Sequence, residues 1–231
     1  AAMATLNEGN QALTVTVVNA AGNTTSTELN FVVDATGSSV ALAPAGNNNY
    51  LNADDVASEV VLSGSTSNIP AGSIVNVNVN GTNYTGTVGA DGNWTVTLPA
   101  GSLVGLPNGA LPVTTTITDA DGNTLATSTS DINVVATDVP VATPGDAFVD
   151  GVLNASEAAA GGFITGNSGV TGEGQRVVVS LNGVNYTGIV DNAGNWQVNI
   201  PSGVLTALPQ GTVPYTVTVT DIAGNTSNAS G

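Results

Sequence analysis

Seventeen carboxylates, a single arginine (Arg176) and no lysine, histidine or cysteine leave this 231-residue chain a narrow chemical repertoire. Without imidazole, thiol or amine there is no ordinary catalytic triad, no Schiff base and no imidazole general base. A carboxylate pair of the glycoside-hydrolysing kind is the one acid–base device the composition allows, and nothing marks the cleft it needs. With two Trp, four Tyr and three Phe there are also few aromatics to spare as sugar platforms. The chain therefore reads as a non-enzyme. What its side chains can do is ligate a hard cation: about six to eight flexible carboxylate, carbonyl and Asn oxygens, with no nitrogen or sulfur, select calcium.

The acids are unevenly placed. Most fall in "DATGSS", "NNNYLNADDVASE", "DADGN", "ATDVPVATPGDAFVDGVLNASE" and "TDIAGN", and the stretches between carry almost none. In a β-sandwich the turn between the last two strands lies at the end where the chain arrives. Asp119 and Asp121 are accordingly expected beside the linker that precedes them, with Asp34 and, further on, Asp54 and Asp55. Asp221 is expected beside Asp138, Asp146, Asp150 and Glu157. Several carboxylates in one junction repel by roughly several kcal/mol unless a cation sits among them, and no Lys or Arg is placed to do so. A plainer reading stands beside this one. The acids are solvated loop residues, and "LNADD" and "LNASE" open short helical turns capped by Asn52 and Asn154, with the acids favoured by the helix dipole. "DADGN" begins like an EF-hand loop, but Thr124 stands at the obligatory Gly and Ser130 at the closing Glu, so it is not one.

The elements that must hold these acids are strands. "IVNVNVN", "WTVTL", "VTTTIT", "VVVSLN" and "YTVTVT" alternate apolar residues with Thr, Asn or Ser, the period-2 pattern of a half-buried strand. Between them "NG", "DGN", "AGN" and "LPNG" supply turn chemistry. Trp94 and Trp196, with Tyr84 and Tyr186 on the preceding strands, are read as core. "AGSLVGLPNG" and "PSGVLTALPQG" are read as single helical turns crossing between sheets.

The pattern is written more than once. "NGTNYTGTVGADGNWTVTLPAG" (Asn80 to Gly101) and "NGVNYTGIVDNAGNWQVNIPSG" (Asn182 to Gly203) agree at 13 of 22 positions. Their constant offset is 182 − 80 = 102, and it also aligns Leu106 to Asn123 with Leu208 to Asn225. Leu13 to Thr36 matches the end of the same unit. This predicts residues 1–38 as the closing part of one repeat, 39–140 as a complete repeat, and 141–231 as a second repeat lacking its last strand. Each unit reads as an all-β sandwich of about seven short strands with Greek-key connections, able to bury its own core.

A formal charge of −16 repels phosphate backbones and anionic membranes, so nucleic-acid binding and direct membrane insertion are excluded as partners. The sequence has no apolar run long enough to span a bilayer. Like-charge repulsion also opposes self-association of near-identical neighbours.

The ordered series "LNASE", "VSLNGVNYTG", "GNWQVNIP", "LPQG", "YTVTVTDIAGN" and "TDVP" resembles the bacterial immunoglobulin-like tandem repeats of giant type I secreted RTX and biofilm-associated adhesins, across the whole chain. The resemblance implies immunoglobulin-like sandwiches joined end to end by short acidic linkers. It implies extender repeats at the bacterial cell surface that hold a ligand-binding tip outward in adhesion and biofilm formation, with Ca2+ stiffening the linkers. It points to Asp138, Asp146, Asp150, Glu157 and Asp221 at one junction and Asp54, Asp55, Asp119 and Asp121 at the other. The latter departs from the former, with Pro44 and Asn48 where Asp146 and Asp150 stand. The implied partners are the neighbouring repeats of the same chain and Ca2+. Two alternatives remain: an adhesion module binding a glycan or protein through its loops, and a filament subunit assembling homotypically through strand exchange.

Overall fold

The structure, a computed structural model, describes residues 9–33, 36–171 and 174–231. The first strands, β1 (Gly9–Val18) and β2 (Thr24–Val33), form an antiparallel hairpin around the Asn19–Asn23 turn. Leu13, Val15, Val17 and Leu29 stay exposed on it, and neither hydrophobic core includes it.

Next come β3 (Ser39–Leu42), β4 (Tyr50–Leu51), α1 (Ala53–Ala57), β5 (Val60–Ser67), β6 (Ile74–Val79), β7 (Thr82–Thr87), β8 (Asn93–Leu98), β9 (Gly109–Thr118) and β10 (Thr124–Val134). They make two sheets, β3-β5-β8 and β4-β10-β9-β6-β7, antiparallel except where β4 runs parallel to β10. The chain changes sheet between β3 and β4, between β4 and β5, between β5 and β6, and again on entering and leaving β8. This is the Greek-key order of an immunoglobulin-like sandwich.

The second half repeats it with β11 (Thr143–Pro144), α2 (Ala155–Ala160), β12 (Gly162–Asn167), β13 (Arg176–Leu181), β14 (Val184–Ile189), β15 (Asn195–Ile200), α3 (Ser202–Leu205), β16 (Tyr215–Thr220) and β17 (Thr226–Ser230). The sheets are β11-β12-β15 and β14-β13-β16-β17. The fold is all-β, two tandem immunoglobulin-like sandwiches.

Strand alternation builds each core. Along β6, Val75, Val77 and Val79 are buried while Asn76 and Asn78 face outward; β13 does the same with Val177, Val179 and Leu181. Trp94 and Trp196 fill the two centres, 2% and 3% exposed. Each lies opposite a glycine on the neighbouring strand, Gly64 and Gly166, whose missing side chain is the space the indole occupies. Tyr84 and Tyr186 pack against the edges of the same cores.

Two sequence expectations change. The second sandwich does have a strand where its last was expected to be missing: β17 pairs with β16 as β10 pairs with β9. The turn residues Asp221–Asn225 reverse the chain tightly enough to start that pairing at once. The predicted helical crossover forms only in the second sandwich, as α3; over 100–105 the first makes consecutive turns that still bury Leu103.

Candidate metal centres and the junction between the sandwiches

Asp34 lies outside the described residues. The others fall into three places, not the two groups expected. The run from β3 to β4 carries the chain from the incoming end, where Ser39 pairs with Ser67, to the far end, where Leu51 lies. Leu51 pairs with Val134, the last residue of β10, and Val134 pairs with Gly109, the first residue of β9. Asp54 and Asp55 in the first turn of α1 are therefore near the outgoing end of the first sandwich. Asp119 and Asp121 are beyond the other end of β9, a full ten-residue strand away, about 30 Å. The expected company of Asp54 and Asp55 with Asp119 and Asp121 does not form.

The same logic splits the other group. Asp146 is close enough to Tyr215, the first residue of β16, to help raise its phenol above the ordinary value, burial being the larger cause. Asp221 follows the last residue of that strand. Asp146 shares a groove of about 570 Å³ with Glu157, so both are at the far end of the second sandwich. The loop that carries Asp146 also carries Asp150, an exposed residue whose Oδ1 accepts from Val152 N–H at 2.9 Å.

Several of these carboxylates are already engaged. Asp119, Asp191 and Asp221 open one recurring turn. In each, the backbone N–H donates to the C=O of the Asn four further on, the C=O accepts from the N–H of the Gly three further on, and Oδ1 accepts two backbone N–H groups. In Asp119 and Asp221, Oδ2 also accepts from the side chain of Asn123 or Asn225, at 2.8 and 2.7 Å. These bonds favour the ionised form: Asp119 is held below the usual carboxylate range mainly by the Asn123 side chain, and Asp191 mainly by the Asn195 backbone N–H. Asn19 makes the same two Oδ1 bonds in the β1–β2 turn without charge. Asp55 and Glu157 complete capping boxes, each accepting from the N–H of its own N-cap residue, Asn52 or Asn154, at 3.0 and 2.9 Å. The capping reading of "LNADD" and "LNASE" is what the structure contains.

The donors are right in kind for calcium, all hard oxygen, but they are not gathered. Among the described residues no three carboxylates come together in a group able to hold a metal ion. Asp54, Asp121, Asp138, Asp146 and Asp150 are exposed, and Asp221 is buried at 8%.

Hydrogen bonds cross between the sandwiches. Asn225, 8% exposed, accepts through Oδ1 from the Ala53 N–H at the start of α1 (2.9 Å). Its Nδ2 donates to Val135 O (2.7 Å), just past β10, and to Asp221 Oδ2 (2.7 Å). Asn52 Nδ2 donates to Ala223 O at 3.5 Å. From the other side Asn108 holds the linker, its Oδ1 accepting from Ala136 and Thr137 N–H (both 2.9 Å) and its Nδ2 donating to Thr137 O (2.7 Å). Sequence reasoning passed over Asn108 and Asn225. The signal for Asn225 is in the sequence, since Asn closes every D/N-x-x-G-N turn of the chain, but bonds within the turn account for an Asn there without a junction.

Similarity to solved proteins follows this architecture. A bacterial immunoglobulin-like domain from the M. primoryensis ice-binding adhesin is 34% identical over its whole length, which is 44% of this chain, with a TM-score of 0.36. The chain belongs to the bacterial immunoglobulin-like domains of large adhesins. Identity over the full length of that domain, not superposition, assigns it. A Ca2+-stabilised adhesin with which an Antarctic bacterium reaches out and binds ice is 32% identical over 96% of this chain and 55% of its own, TM-score 0.43. A 1.5-MDa bacterial ice-binding adhesin, studied for its retention at the host cell surface, is 28% identical over 97% of this chain and 73% of its own, TM-score 0.45. These immunoglobulin-like repeats thus span about half the length of the first of these two. No protein-family model and no curated protein matches the sequence. Among the described residues no helix is long and apolar enough to cross a membrane.

Proposed function

We propose that this chain is a run of non-enzymatic extender repeats from a large bacterial cell-surface adhesin, with units near residues 1–38, 39–140 and 141–231. The observation that carries the reading is the junction: the last turn of one sandwich seats on the helix end of the sandwich before it. An arrangement that repeats head to tail lengthens a chain without adding a pocket or a catalytic group, which is what a spacer requires. The surface charge suits extracellular life in an adhesin concerned with attachment and biofilm, keeping crowded neighbours apart.

Calcium belongs to this reading as a stiffener, supported by the relative described as a Ca2+-stabilised adhesin. The proposed ligands are regrouped by place. Asp54, Asp55, Asp138 and Asp221 serve the junction; Asp119 and Asp121 serve the incoming end of the first sandwich, with Asp34, outside the described residues, as their expected companion; Asp146, Asp150 and Glu157 serve the far end of the second sandwich. Sites so thin in carboxylates are occupied only at extracellular calcium, about 0.1–1 mM and above, and contribute by mass action. The test is small-angle scattering with thermal melting in EDTA, then in millimolar CaCl2, then in MgCl2. A rise in melting temperature and a narrower distance distribution with calcium alone are expected. No change with calcium refutes the ion as stiffener.

A further inference from the structure

We infer that the Asn225 side chain is a metal-free latch that fixes the second sandwich on the first by bonding the start of α1 and the end of β10 together.

Three features carry this. The side chain is 8% exposed and its two polar atoms make three hydrogen bonds, two of them to the other sandwich. Its partners there are backbone groups of fixed position: Ala53 N–H, which α1 itself cannot satisfy because it lies in the first turn, and Val135 O, just past the last paired residue of β10. The linker that follows is clamped from the first sandwich by Asn108, so Val135–Thr137 are held from both sides within three residues. A flexible tether would leave these groups to water. Satisfying them across the gap couples the orientation of one sandwich to the helix and last strand of the other, and the two bonds that cross join neutral groups with no ion between them.

The latch is distinct from the calcium reading and stands or falls separately. Asp119–Asn123 has the same internal turn bonds but seats on nothing among the described residues, so it serves as the control.

The experiment uses the whole chain in EDTA and compares Asn225→Ala, Ala53→Pro and Asn123→Ala with the parent. Because Asn225 also ties its own turn to Asp221, loss of order in the second sandwich could mimic loss of the latch. Ala53→Pro avoids this. It removes the donor from the first sandwich, at the first helical position, where proline is accepted, and Asn52 before it is already extended (φ −89, ψ −176). Circular dichroism should be unchanged for Ala53→Pro. Scattering should show a broader distance distribution for Ala53→Pro and Asn225→Ala and the parent distribution for Asn123→Ala. By hydrogen exchange, the Ala53 amide in Asn225→Ala should exchange about tenfold faster, while the Val56 amide, bonded within α1 to Asn52 O, keeps its parent rate. A parent-like distribution for folded Ala53→Pro overturns the latch whatever Asn225→Ala does. So does an unchanged Ala53 exchange rate in Asn225→Ala. Adding calcium afterwards tests the ion separately, since a latch lost in EDTA leaves the response to calcium to be read on its own.

Discussion

Asp119 accepts two backbone N–H groups and the Asn123 side chain, and these bonds keep it ionised to lower pH than a free carboxylate. In the unfolded chain it takes up its proton near pH 4. A folded value below the unfolded one stabilises fully above about pH 4 and loses that contribution as the pH falls through the depressed folded value. Asn19 shows that a neutral side chain makes the same two Oδ1 bonds. Asp119→Asn should therefore keep the turn and remove its titration. The urea midpoint of the variant should fall less than that of the parent between about pH 5 and about pH 2, with Asp191 keeping part of the slope. An identical acid limb would show that Asp119 carries none of it.

At the scale of elements, the contact that decides the sandwich is a tryptophan laid over a glycine on the adjacent strand. A Cβ built on Gly166 overlaps the Trp196 ring and the Thr143 carbonyl, and one on Gly64 overlaps Trp94 and the Ala41 carbonyl. Part of each obstacle is backbone, so it cannot move aside cheaply. Gly166→Ala should cost about 3 kcal/mol, the upper end for overpacking a core, in denaturant unfolding of the second sandwich. Gly203→Ala is the companion test: nothing lies within 4 Å of its Cβ, and in α3 an alanine should be neutral or slightly stabilising. Equal effects of the two substitutions would refute the packing argument. The same offset of 102 lays Gly64 over Gly166, so the glycine is visible in the sequence as an aligned pair. Its reason is not, because the register that puts each opposite a tryptophan is set by pairing between β5 and β8 and between β12 and β15, distant in sequence.

At the scale of the whole molecule, the two cores share no buried side chain among the described residues, and hydrogen bonds of the Asn225 kind join the two sandwiches. Trp94→Ala should cost the first sandwich about 3–5 kcal/mol, while the second keeps its own unfolding transition, followed by the fluorescence of the remaining Trp196. A single shared transition shifted as a unit would mean the junction couples the two far more strongly than hydrogen bonds of this number can. The hairpin β1–β2, with Leu13, Val15, Val17 and Leu29 exposed, takes no part in either core.

The sequence by itself determined the strands, the turns, the tandem repeat and the core tryptophans, because period-2 alternation and Gly/Asn turn chemistry act over a few residues and a repeated unit writes its pattern twice. It also removed imidazole, thiol and amine from the side-chain chemistry and left carboxylates as the acid–base groups near neutral pH. Only the tertiary structure decided which acids meet. One strand of travel, from β3 to α1, moves Asp54 and Asp55 to the opposite end from Asp119, and the length of β16 separates Asp146 from Asp221. That placement depends on strand direction and pairing partner, which are long-range properties of the two sheets. The same holds for Asn225, a turn residue by local chemistry that becomes a junction residue because its two outward bonds are completed by Ala53, 172 positions away, and Val135, 90 positions away.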